Sequence, residues 1–233
     1  MIAWEKIYSV FLDMDGTLLD LNFDNHFWQE FVPARYAERE GLALDEAKTI
    51  LAPRFKAMEG KLEWYCLDYW SEQLDLDIAA MKLEIAGLIQ VLPHVVEFLD
   101  AVRAAGKQLA LVTNAHRKSL GLKMEKTRLH GFFDAIISSH DLGVPKEDPE
   151  FWRRLAGVEM FSAERTLLAD DSLPVLRSAR AFGIGHLVAI RKHDSTKPAR
   201  VIEEFMAVED FREIMPKLQH FPFADQQCTD LVR

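Results

Sequence analysis

Several short runs of apolar residues constrain the fold of this chain more than any other feature of its sequence. The apolar character within each run is nearly continuous, which is typical of strands in a parallel sheet that helices cover on both faces. Between these runs lie amphipathic helical patterns, and those at residues 93–105 and 174–182 begin with proline and end before glycine. The predicted strands are residues 7–12, 109–113, 135–138, 166–169 and 186–190. This alternation predicts an α/β fold with a doubly wound parallel sheet, in which ligands bind beyond the carboxyl ends of the strands.

The segment from residue 21 to residue 88 interrupts this alternation. It contains amphipathic helical stretches at 24–40, 45–59 and 63–74 but no convincing strand, and it carries most of the tryptophan and tyrosine residues. We therefore predict an all-helical cap domain, residues 21–88, inserted into a core domain formed by residues 1–20 and 89–220. Packing between cap helices is the simpler explanation for most of these aromatic side chains. From about residue 221 the periodicity is weak, and a frayed tail is expected.

Charge and composition exclude several classes of function. The chain has 233 residues, 49% of them hydrophobic, which is enough for a substantial core. Its formal net charge of −9 disfavours binding to a nucleic-acid polymer and favours small-molecule partners. The two cysteines, Cys66 and Cys228, are far apart and show neither a disulfide framework nor the spacing of a zinc motif. The sequence shows no signal peptide and no apolar stretch long enough to cross a membrane, so we expect a cytoplasmic protein without membrane contacts. The oligomeric state stays open.

Two carboxylates follow the first predicted strand. Asp13 and Asp15 lie two residues apart, so that on extended chain their side chains project to the same side, and Gly16 permits a tight turn after them. A polar turn at the end of a strand would readily explain one aspartate, but it explains two, with the apolar Met14 between them, less well. We therefore predict that Asp13 and Asp15 face one ligand site.

A second carboxylate pair, Asp170 and Asp171, ends the predicted strand at residues 166–169. Four acidic groups at the ends of buried strands would repel one another unless a cation lay among them. Oxygen ligands without a nearby histidine or cysteine favour a hard metal ion, and Mg²⁺ is the hard ion that commonly binds together with substrate phosphate. The sequence therefore predicts a Mg²⁺ cofactor here, with two unrelated surface turns as the alternative interpretation.

Three more polar residues complete the candidate site. Thr113 and Asn114 end the second predicted strand, and Lys146 lies in the segment GVPKED at 143–148. Hydroxyl, amide and ammonium groups suit phosphate oxygens. Each is a weak signal alone, because threonine and asparagine are common at strand ends and a loop lysine is usually solvated. Their order along the chain is what makes them informative.

That order resembles the haloacid dehalogenase-like superfamily of hydrolases. The matching segments are DMDGT at 13–17, LVTN at 111–114, Lys146 and LLADDS at 167–172, which together span nearly the whole chain. The resemblance implies a Rossmann-like core and an aspartyl-phosphate mechanism, in which Asp13 attacks phosphorus and Asp15 acts first as acid and then as base. It also implies that Thr113, Asn114 and Lys146 hold the transferred phosphoryl group.

The same resemblance implies the ligands of the metal ion. Mg²⁺ would be bound by Asp13, by the backbone carbonyl of Asp15 and by Asp171, with Asp170 acting through water. Dehalogenases of the superfamily lack the second aspartate of the first motif, because halide leaves without protonation. The presence of Asp15 therefore favours hydrolysis of a phosphate ester.

Further segments resemble the GMP/IMP 5′-nucleotidase branch of the superfamily. They are LLDLNFDNHFW at 18–28, EWYCLDYWSEQLDL at 63–76 and TNAH at 113–116. This resemblance implies a purine 5′-mononucleotide substrate and cap residues that stack on the base and hydrogen-bond to it. The candidates are Phe23, Asp24, Asn25, His26 and Trp28, for which ordinary cap packing is the alternative. His116 either contacts substrate or opens the helix that follows it, and Ser172 is expected to be a helix N-cap.

Three alternative functions stay open. The substrate could be another small phosphorylated metabolite, such as a sugar phosphate. A phosphomutase of the same superfamily would return the phosphate to a sugar instead of to water. A protein that binds a metabolite without turning it over would retain the fold but not the activity, and Mg²⁺-dependent turnover of a phosphate ester would eliminate it.

Overall fold

A parallel sheet forms the centre of the core in the computed structural model, which describes residues 2–216. Within that range the sheet has six strands in the order β3-β2-β1-β4-β5-β6. The strands are β1 (Ser9–Leu12), β2 (Gln108–Thr113), β3 (Ala135–Ser138), β4 (Thr166–Asp170), β5 (His186–Ile190) and β6 (Met206–Val208). From the central β1, strands β2 and β3 follow on one side of the sheet. Strand β4 then lies on the other side of β1, and β5 and β6 follow outward from it. This confirms the predicted doubly wound α/β fold.

The core helices pack on the two faces of this sheet. They are α7 (Val95–Ala104), α8 (Arg117–Thr127), α9 (Ser139–Leu142), α10 (Pro149–Val158) and α11 (Leu173–Phe182). One face buries Leu12, Leu111 and Ala169 in a cluster with residues of α7 and α8. The other face buries Phe11 and Leu168 in a cluster with residues of α10 and α11. Neighbouring strand residues thus point to opposite layers, and burial on both sides explains the continuous apolar runs in the sequence.

The helical insertion lies between β1 and α7. Its helices are α1 (Asn22–His26), a π-helical turn (Phe27–Phe31), α2 (Val32–Glu40), α3 (Leu44–Lys56), α4 (Leu62–Tyr65), α5 (Leu67–Leu74) and α6 (Ile78–Glu84). These helices share a hydrophobic cluster of their own, centred on the buried Phe27, Leu51 and Trp70. The predicted helical insertion is therefore confirmed. The exact division of the chain at residues 20/21 and 88/89 stays a prediction.

Several details differ from the sequence-based expectations. Helix α7 begins at Val95, after His94 in a left-handed conformation (φ 60°), so Pro93 precedes the helix and is not in its first turn. Strand β6 was not expected, because a three-residue strand at the edge of the sheet leaves almost no periodicity. The predicted tail from residue 221 and the predicted end of the core at residue 220 lie outside the described residues. Among residues 2–216, no helix combines the length and the apolar character needed to cross a bilayer.

Strand register explains why distant acidic residues meet. Leu12 of β1 is opposite Leu111 of β2 and Ala169 of β4. The next residue, Asp13, donates its backbone N–H to the carbonyl oxygen of Ala169 at 3.0 Å. Asp13, which directly follows β1, therefore lies beside Asp170, the last residue of β4. Both are at the carboxyl edge of the sheet, at the point where the strand order reverses.

Candidate active site

Three carboxylates form a cluster at the carboxyl ends of β1 and β4. One carboxylate oxygen from each of Asp13, Asp170 and Asp171 lies within 4.8 Å of the other two. The side chains of Asp13 and Asp170 are 8% and 1% exposed. The structure thus brings together three of the four acidic side chains predicted from the two motifs, and we call Asp13, Asp170 and Asp171 the acid cluster.

Gly16 allows the two acidic loops to approach this closely. Its backbone is left-handed (φ 82°), and a Cβ built there would lie 2.8 Å from both Cγ and Oδ2 of Asp171. Any larger residue would push Asp171 away from Asp13 and would also carry the strain of a positive φ. Gly16, which lies in the first motif, therefore permits both its own tight turn and the close approach of Asp171 from the second motif.

Lys146 is buried within the acid cluster. Its Nζ donates to Asp13 Oδ1 at 2.6 Å, to Asp170 Oδ2 at 2.7 Å and to the carbonyl oxygen of Val112 at 3.0 Å. These three acceptors match the three protons of an ammonium group. Although burial opposes ionisation, the two carboxylates raise the pKa of Lys146 above its usual value, so this lysine is charged. Lys146 is therefore not a solvated loop residue.

Burial raises the pKa values of the acid cluster. The pKa of Asp13 is raised to about 6, chiefly because the carboxylate is desolvated, and the charge of Asp170 adds to the effect while Lys146 opposes it. The pKa of Asp171 is raised well above its ordinary value by burial and by its acidic neighbours. Three carboxylates share the single ammonium group of Lys146, and the guanidinium group of Arg200 comes only within 3.8 Å of Asp171 Oδ2. The cluster therefore holds uncompensated negative charge.

This arrangement fits a hard divalent cation. Its donors are all carboxylate oxygens, which are the ligands that Mg²⁺ prefers. A bound cation would compensate the excess negative charge that burial otherwise penalises. The close approach of the loops at Gly16 brings donors from two separate motifs to one place. Residues that could hold the ion are Asp13, Asp170 and Asp171.

Asp15 faces a second charged network beside the acid cluster. Its Oδ1 accepts from Nζ of Lys123, on α8, at 2.7 Å, and the same Nζ donates to Asp24 Oδ2 at 2.6 Å. Asp24 in turn accepts from Nζ of Lys82, on α6, at 2.6 Å. Burial raises the pKa of Asp15 to about 6, against the opposing charge of Lys123. Although burial opposes ionisation, the two lysines hold the pKa of Asp24 well below its ordinary value.

Sequence reasoning missed Lys123 and Lys82, although a signal was present. Lys123 follows the buried Leu120 by three positions, and Lys82 follows the buried Ile78 by four, so that each lysine lies on the inner face of its helix. Lysine is almost never fully buried unless it is paired. A lysine at a core position of an amphipathic helix therefore indicates a buried acidic partner, although it does not say which one.

Thr113 and Asn114 lie at the end of β2, next to the acid cluster. The Thr113 hydroxyl accepts from the backbone N–H of Ala115 at 3.0 Å. Asn114 Oδ1 accepts from the backbone N–H of Lys146 at 2.9 Å, and its Nδ2 donates to Glu147 Oε2 at 2.9 Å. The Tyr65 hydroxyl of the cap donates to the other oxygen of Glu147. Glu147 thus connects the cap to the strand end that carries Asn114.

A cavity of about 380 Å³ opens above the acid cluster, between core and cap. This volume falls in the range of small-molecule sites, roughly 300–1,000 Å³. Its floor is formed by residues of both acidic motifs together with Thr113, Asn114 and Lys146. Its cap side is lined by Asp24, Asn25, Trp28, Phe55, Trp64 and Tyr65. The cavity is therefore acidic at one end and aromatic at the other.

The structure corrects two of the expected pocket residues. Asp24, Asn25 and Trp28 line the cavity, as expected, but Phe23 and His26 do not. Phe23 is buried and packs against Phe27, while His26 is exposed to solvent. The reason is helical periodicity. Trp28 follows Asp24 by four positions and Asn25 by three, so these residues share the helix face that meets the cavity, whereas residues 23 and 26 lie on other faces.

His116 and Ser172 occupy the helix ends expected of them. His116 is the N-cap of α8, where its Nδ1 accepts from the backbone N–H of Lys118 at 3.4 Å, and it also lines the cavity. Ser172 is at the N-cap position of α11, but its hydroxyl makes no capping hydrogen bond. Its backbone N–H instead donates to Asp170 Oδ1 at 2.9 Å, which helps to orient that carboxylate.

Comparison with known proteins agrees with this geometry. The family described as haloacid dehalogenase-like hydrolase matches residues 9–183, a range that includes both acidic motifs and the insertion between them. The chain therefore belongs to the haloacid dehalogenase-like hydrolases, and it is an enzyme of that family. The resemblance inferred from the order of the motifs is confirmed.

One relative is similar over almost its full length. The GMP/IMP nucleotidase YrfG of Escherichia coli (strain K12) is 41% identical over 217 residues, which cover 93% of this chain and 98% of the relative. Among solved structures, a HAD phosphatase from Thermococcus onnurineus has a TM-score of 0.73 at 20% identity and covers 89% of this chain and 96% of its own. The HAD-hydrolase YfnB from Bacillus subtilis, bound to magnesium, has a TM-score of 0.58 at 20% identity with the same coverage. These two likenesses show the shared fold.

Proposed function

We propose that this chain is a Mg²⁺-dependent phosphatase that hydrolyses a purine 5′-mononucleotide, in particular GMP or IMP, through a phosphorylated Asp13. The observation that carries the proposal is the position of Asp13. Its carboxylate is buried within the acid cluster, is held by the charged Lys146 and lies two residues before a second acid, Asp15. A nucleophile, a cation site and a proton donor thus converge at the floor of one cavity.

Asp13 and Asp15 divide the chemistry between them. A carboxylate oxygen of Asp13 forms a bond to phosphorus while the ester bond to the leaving oxygen breaks, and Asp15 gives that oxygen its proton. Asp15 then takes a proton from water, whose oxygen forms a bond to phosphorus while the bond between Asp13 and phosphorus breaks, which releases phosphate and restores the carboxylate. The raised pKa of Asp15, about 6, supports this role because it brings proton donation closer to neutral pH.

Lys146 and Lys123 have different proposed roles. Lys146 holds the nucleophile and places a positive charge where the phosphate must approach, and Thr113 and Asn114 present polar groups beside it. Lys123 touches neither Asp13 nor the other residues of the acid cluster. It orients Asp15 through the 2.7 Å contact and is therefore a positioning residue.

The charges show why a cation is needed. A carboxylate about 4 Å from a phosphate dianion meets roughly 8 kcal/mol of repulsion at an effective dielectric constant of 20, and one ammonium group offsets about half of it. When bound, Mg²⁺ would supply the remaining charge neutralisation for nucleophile and phosphate. Its proposed ligands are the side chains of Asp13 and Asp171, the backbone carbonyl of Asp15 and, through water, Asp170.

Two observations support a purine nucleotide as the substrate. The E. coli relative, which shares 41% identity over nearly the whole chain, is named a GMP/IMP nucleotidase. The cap side of the cavity offers the rings of Trp28, Trp64 and Tyr65 for stacking, and the amide oxygen of Gln29 for a hydrogen bond to a base. A phosphate at the acidic floor would leave the base pointing toward these cap residues.

A substrate screen tests the proposal. Free phosphate would be measured with Mg²⁺ and each of a set of purine 5′-monophosphates, pyrimidine 5′-monophosphates and sugar phosphates. We expect the highest kcat/KM for GMP and IMP, at least about tenfold above the pyrimidine nucleotides, because a larger ring system gains more from stacking. Chelation of the metal should abolish phosphate release.

Each other outcome of the screen rejects a different part of the proposal. If sugar phosphates are the best substrates, the proposed nucleotide substrate is rejected but the proposed phosphatase activity is not. An isomerised sugar phosphate without free phosphate would indicate a phosphomutase. Turnover that does not depend on a divalent cation would reject the assigned role of the acid cluster.

A further inference from the structure

A second group of metal-binding side chains lies beside the substrate cavity. Cys66, His116 and His140 each place one potential ligand atom within 4.8 Å of the other two. Cys66 belongs to the cap, at the junction of α4 and α5, whereas His116 precedes α8 and His140 lies in α9. The group therefore spans the boundary between cap and core, and the acid cluster and its proposed chemistry do not use it.

The unpartnered nitrogen of His140 is an independent sign of a missing ligand. Its Nε2 is buried and has no hydrogen-bond partner among residues 2–216. A buried polar atom without a partner costs free energy, so such atoms in folded proteins usually mark a bound ion, a water or a functional role. The His140 ring stands edge to face against the His116 ring, with 4.9 Å between the ring centroids. The two imidazoles are thus held together instead of being spread over the surface.

Local structural roles account for only part of this arrangement. Cys66 Sγ accepts from the backbone N–H of Tyr69 at 3.4 Å, and His116 Nδ1 accepts from that of Lys118 at 3.4 Å. The contact to His116 is long, that to Cys66 is ordinary for sulfur, and both explain why each residue suits the start of a helix. Neither contact explains why a thiol and two imidazoles from three separate elements converge, or why His140 Nε2 is buried without a partner.

We propose that Cys66, His116 and His140 form a site for a borderline-soft divalent cation of the Zn²⁺ class, which joins the cap to the core. One thiolate and two imidazoles are a ligand set that Zn²⁺ takes readily, with the fourth position left to water. Hard ions such as Mg²⁺ prefer oxygen ligands, so the two sites select different metals. The sequence spacing gave no sign of zinc, because the three ligands are brought together only by the closed arrangement of cap and core.

The distances are compatible with tetrahedral coordination. With Zn–N near 2.0 Å and Zn–S near 2.3 Å, neighbouring ligand atoms in a tetrahedral site are about 3.3–3.6 Å apart. Atoms that already lie within 4.8 Å need to close by at most about 1.5 Å, which side-chain rotations can supply. The Asp68 carboxylate lies 3.7 Å from His116 Nε2, so a metal would bind Nδ1, where it would replace the long contact from the backbone N–H of Lys118.

Since His116 also lines the substrate cavity, an ion bound here would lie at its wall and would hold the cap in place over the substrate.

Cobalt spectroscopy tests the site directly. The full-length, reduced protein would be titrated with Co²⁺ while Mg²⁺ is kept in excess to occupy the acid cluster. We expect about one equivalent of Co²⁺ to produce a thiolate-to-cobalt charge-transfer band together with the strong visible bands of tetrahedral coordination, and Zn²⁺ to remove both. Carboxylates cannot produce the thiolate band, so the signal is specific to a cysteine site.

Three variants make the test decisive. Cys66→Ser should abolish the thiolate band, and His140→Phe, which retains a ring against His116, should weaken Co²⁺ binding at least about tenfold. Cys228→Ser, the matched control at the other cysteine of the chain, should bind as the wild type does. Far-ultraviolet circular dichroism of each variant would verify its fold, and Zn²⁺ should raise the melting temperature of the wild type but not of Cys66→Ser. A wild type without the thiolate band, a band that survives Cys66→Ser, or one that vanishes with Cys228→Ser would overturn the proposal.

Discussion

Replacing Lys123 with methionine should destabilise the protein much more than the replacement of an exposed lysine of α8. The methionine keeps the length of the side chain but removes the ammonium group that lies between Asp15 and Asp24, at 2.7 Å and 2.6 Å. The Lys123 side chain is only 1% exposed, and the side chains of Asp15 and Asp24 are 22% and 17% exposed, so water can replace only part of the lost contacts. Two largely buried carboxylates would then lack their shared cation.

The expected magnitude follows from this burial. Removing one partner of a buried ion pair costs about 3–5 kcal/mol, because the other charge stays buried without compensation. For a protein of this size each kcal/mol corresponds to roughly 2–4 °C, so the melting temperature should fall by about 6–20 °C. The kcat should fall as well, by at least about tenfold, because Asp15 loses the group that orients it for proton transfer.

Lys118→Met provides a matched control on the same helix. Lys118 also joins core to cap, through Nζ to Asp68 Oδ1 at 2.6 Å, but both side chains are more than half exposed. A solvated ion pair of this kind contributes little to stability, so the free energy of unfolding of this variant should be close to that of the wild type. Urea denaturation with a common m-value would measure both, and phosphate release from GMP would report on turnover.

Two outcomes would contradict the roles assigned to Lys123. If Lys123→Met and Lys118→Met unfold at the same urea concentration, burial of the Lys123 network does not contribute to stability as the structure indicates. If Lys123→Met loses stability but keeps full kcat at a temperature where it is folded, Lys123 supports the fold and does not position Asp15.

The remaining predictions concern the acid cluster. Asp13→Asn should lower turnover by at least roughly a thousandfold while leaving the circular dichroism spectrum unchanged, and near-normal phosphate release would remove Asp13 from the role of nucleophile. Mg²⁺ affinity should fall by at least about tenfold per pH unit below about pH 6, because protons on Asp13, whose pKa is raised to about 6, and on Asp171, whose pKa is also raised, exclude the cation. Calorimetry that finds constant affinity from about pH 7 to about pH 5 would contradict this. Gly16→Ala should weaken Mg²⁺ binding at least about tenfold, because its Cβ would meet Asp171 at 2.8 Å. Gly41→Ala, also at a positive φ but with no atom near its Cβ, should leave Mg²⁺ binding unchanged, and equal losses in the two variants would refute the contact.

Most of the core could be predicted because its signals are local. The apolar runs at 135–138 and 186–190 coincide with β3 and β5, since a strand covered on both faces is apolar at most positions. The short edge strand β6 and the start of α7 escaped prediction. Both depend on contacts with distant parts of the chain, and Pro93 is compatible with a position just before the helix as well as in its first turn.

The candidate site was only partly predictable for the same reason. Asp13, Asp170 and Asp171 follow buried strands, and parallel strands end at a common edge, so their convergence follows from the fold class. Phe23 and His26 were misplaced because nothing in their sequence says which face of α1 meets the cavity. Lys123 joins Asp15 across 108 residues, and Lys82 joins Asp24 across 58, which no local pattern can show.

By itself, the sequence determined the class of fold, the order of the motifs and the side-chain types of the acid cluster, because side-chain type and periodicity are properties of short segments. Only the tertiary structure decided which polar side chains lie together: Lys146 with Asp13, Lys123 with Asp15, and Cys66 with two histidines across the boundary between cap and core. The physical reason is that the free energy of a charge or a metal ligand depends on what surrounds it after folding, and those neighbours come from parts of the chain that are far apart in sequence.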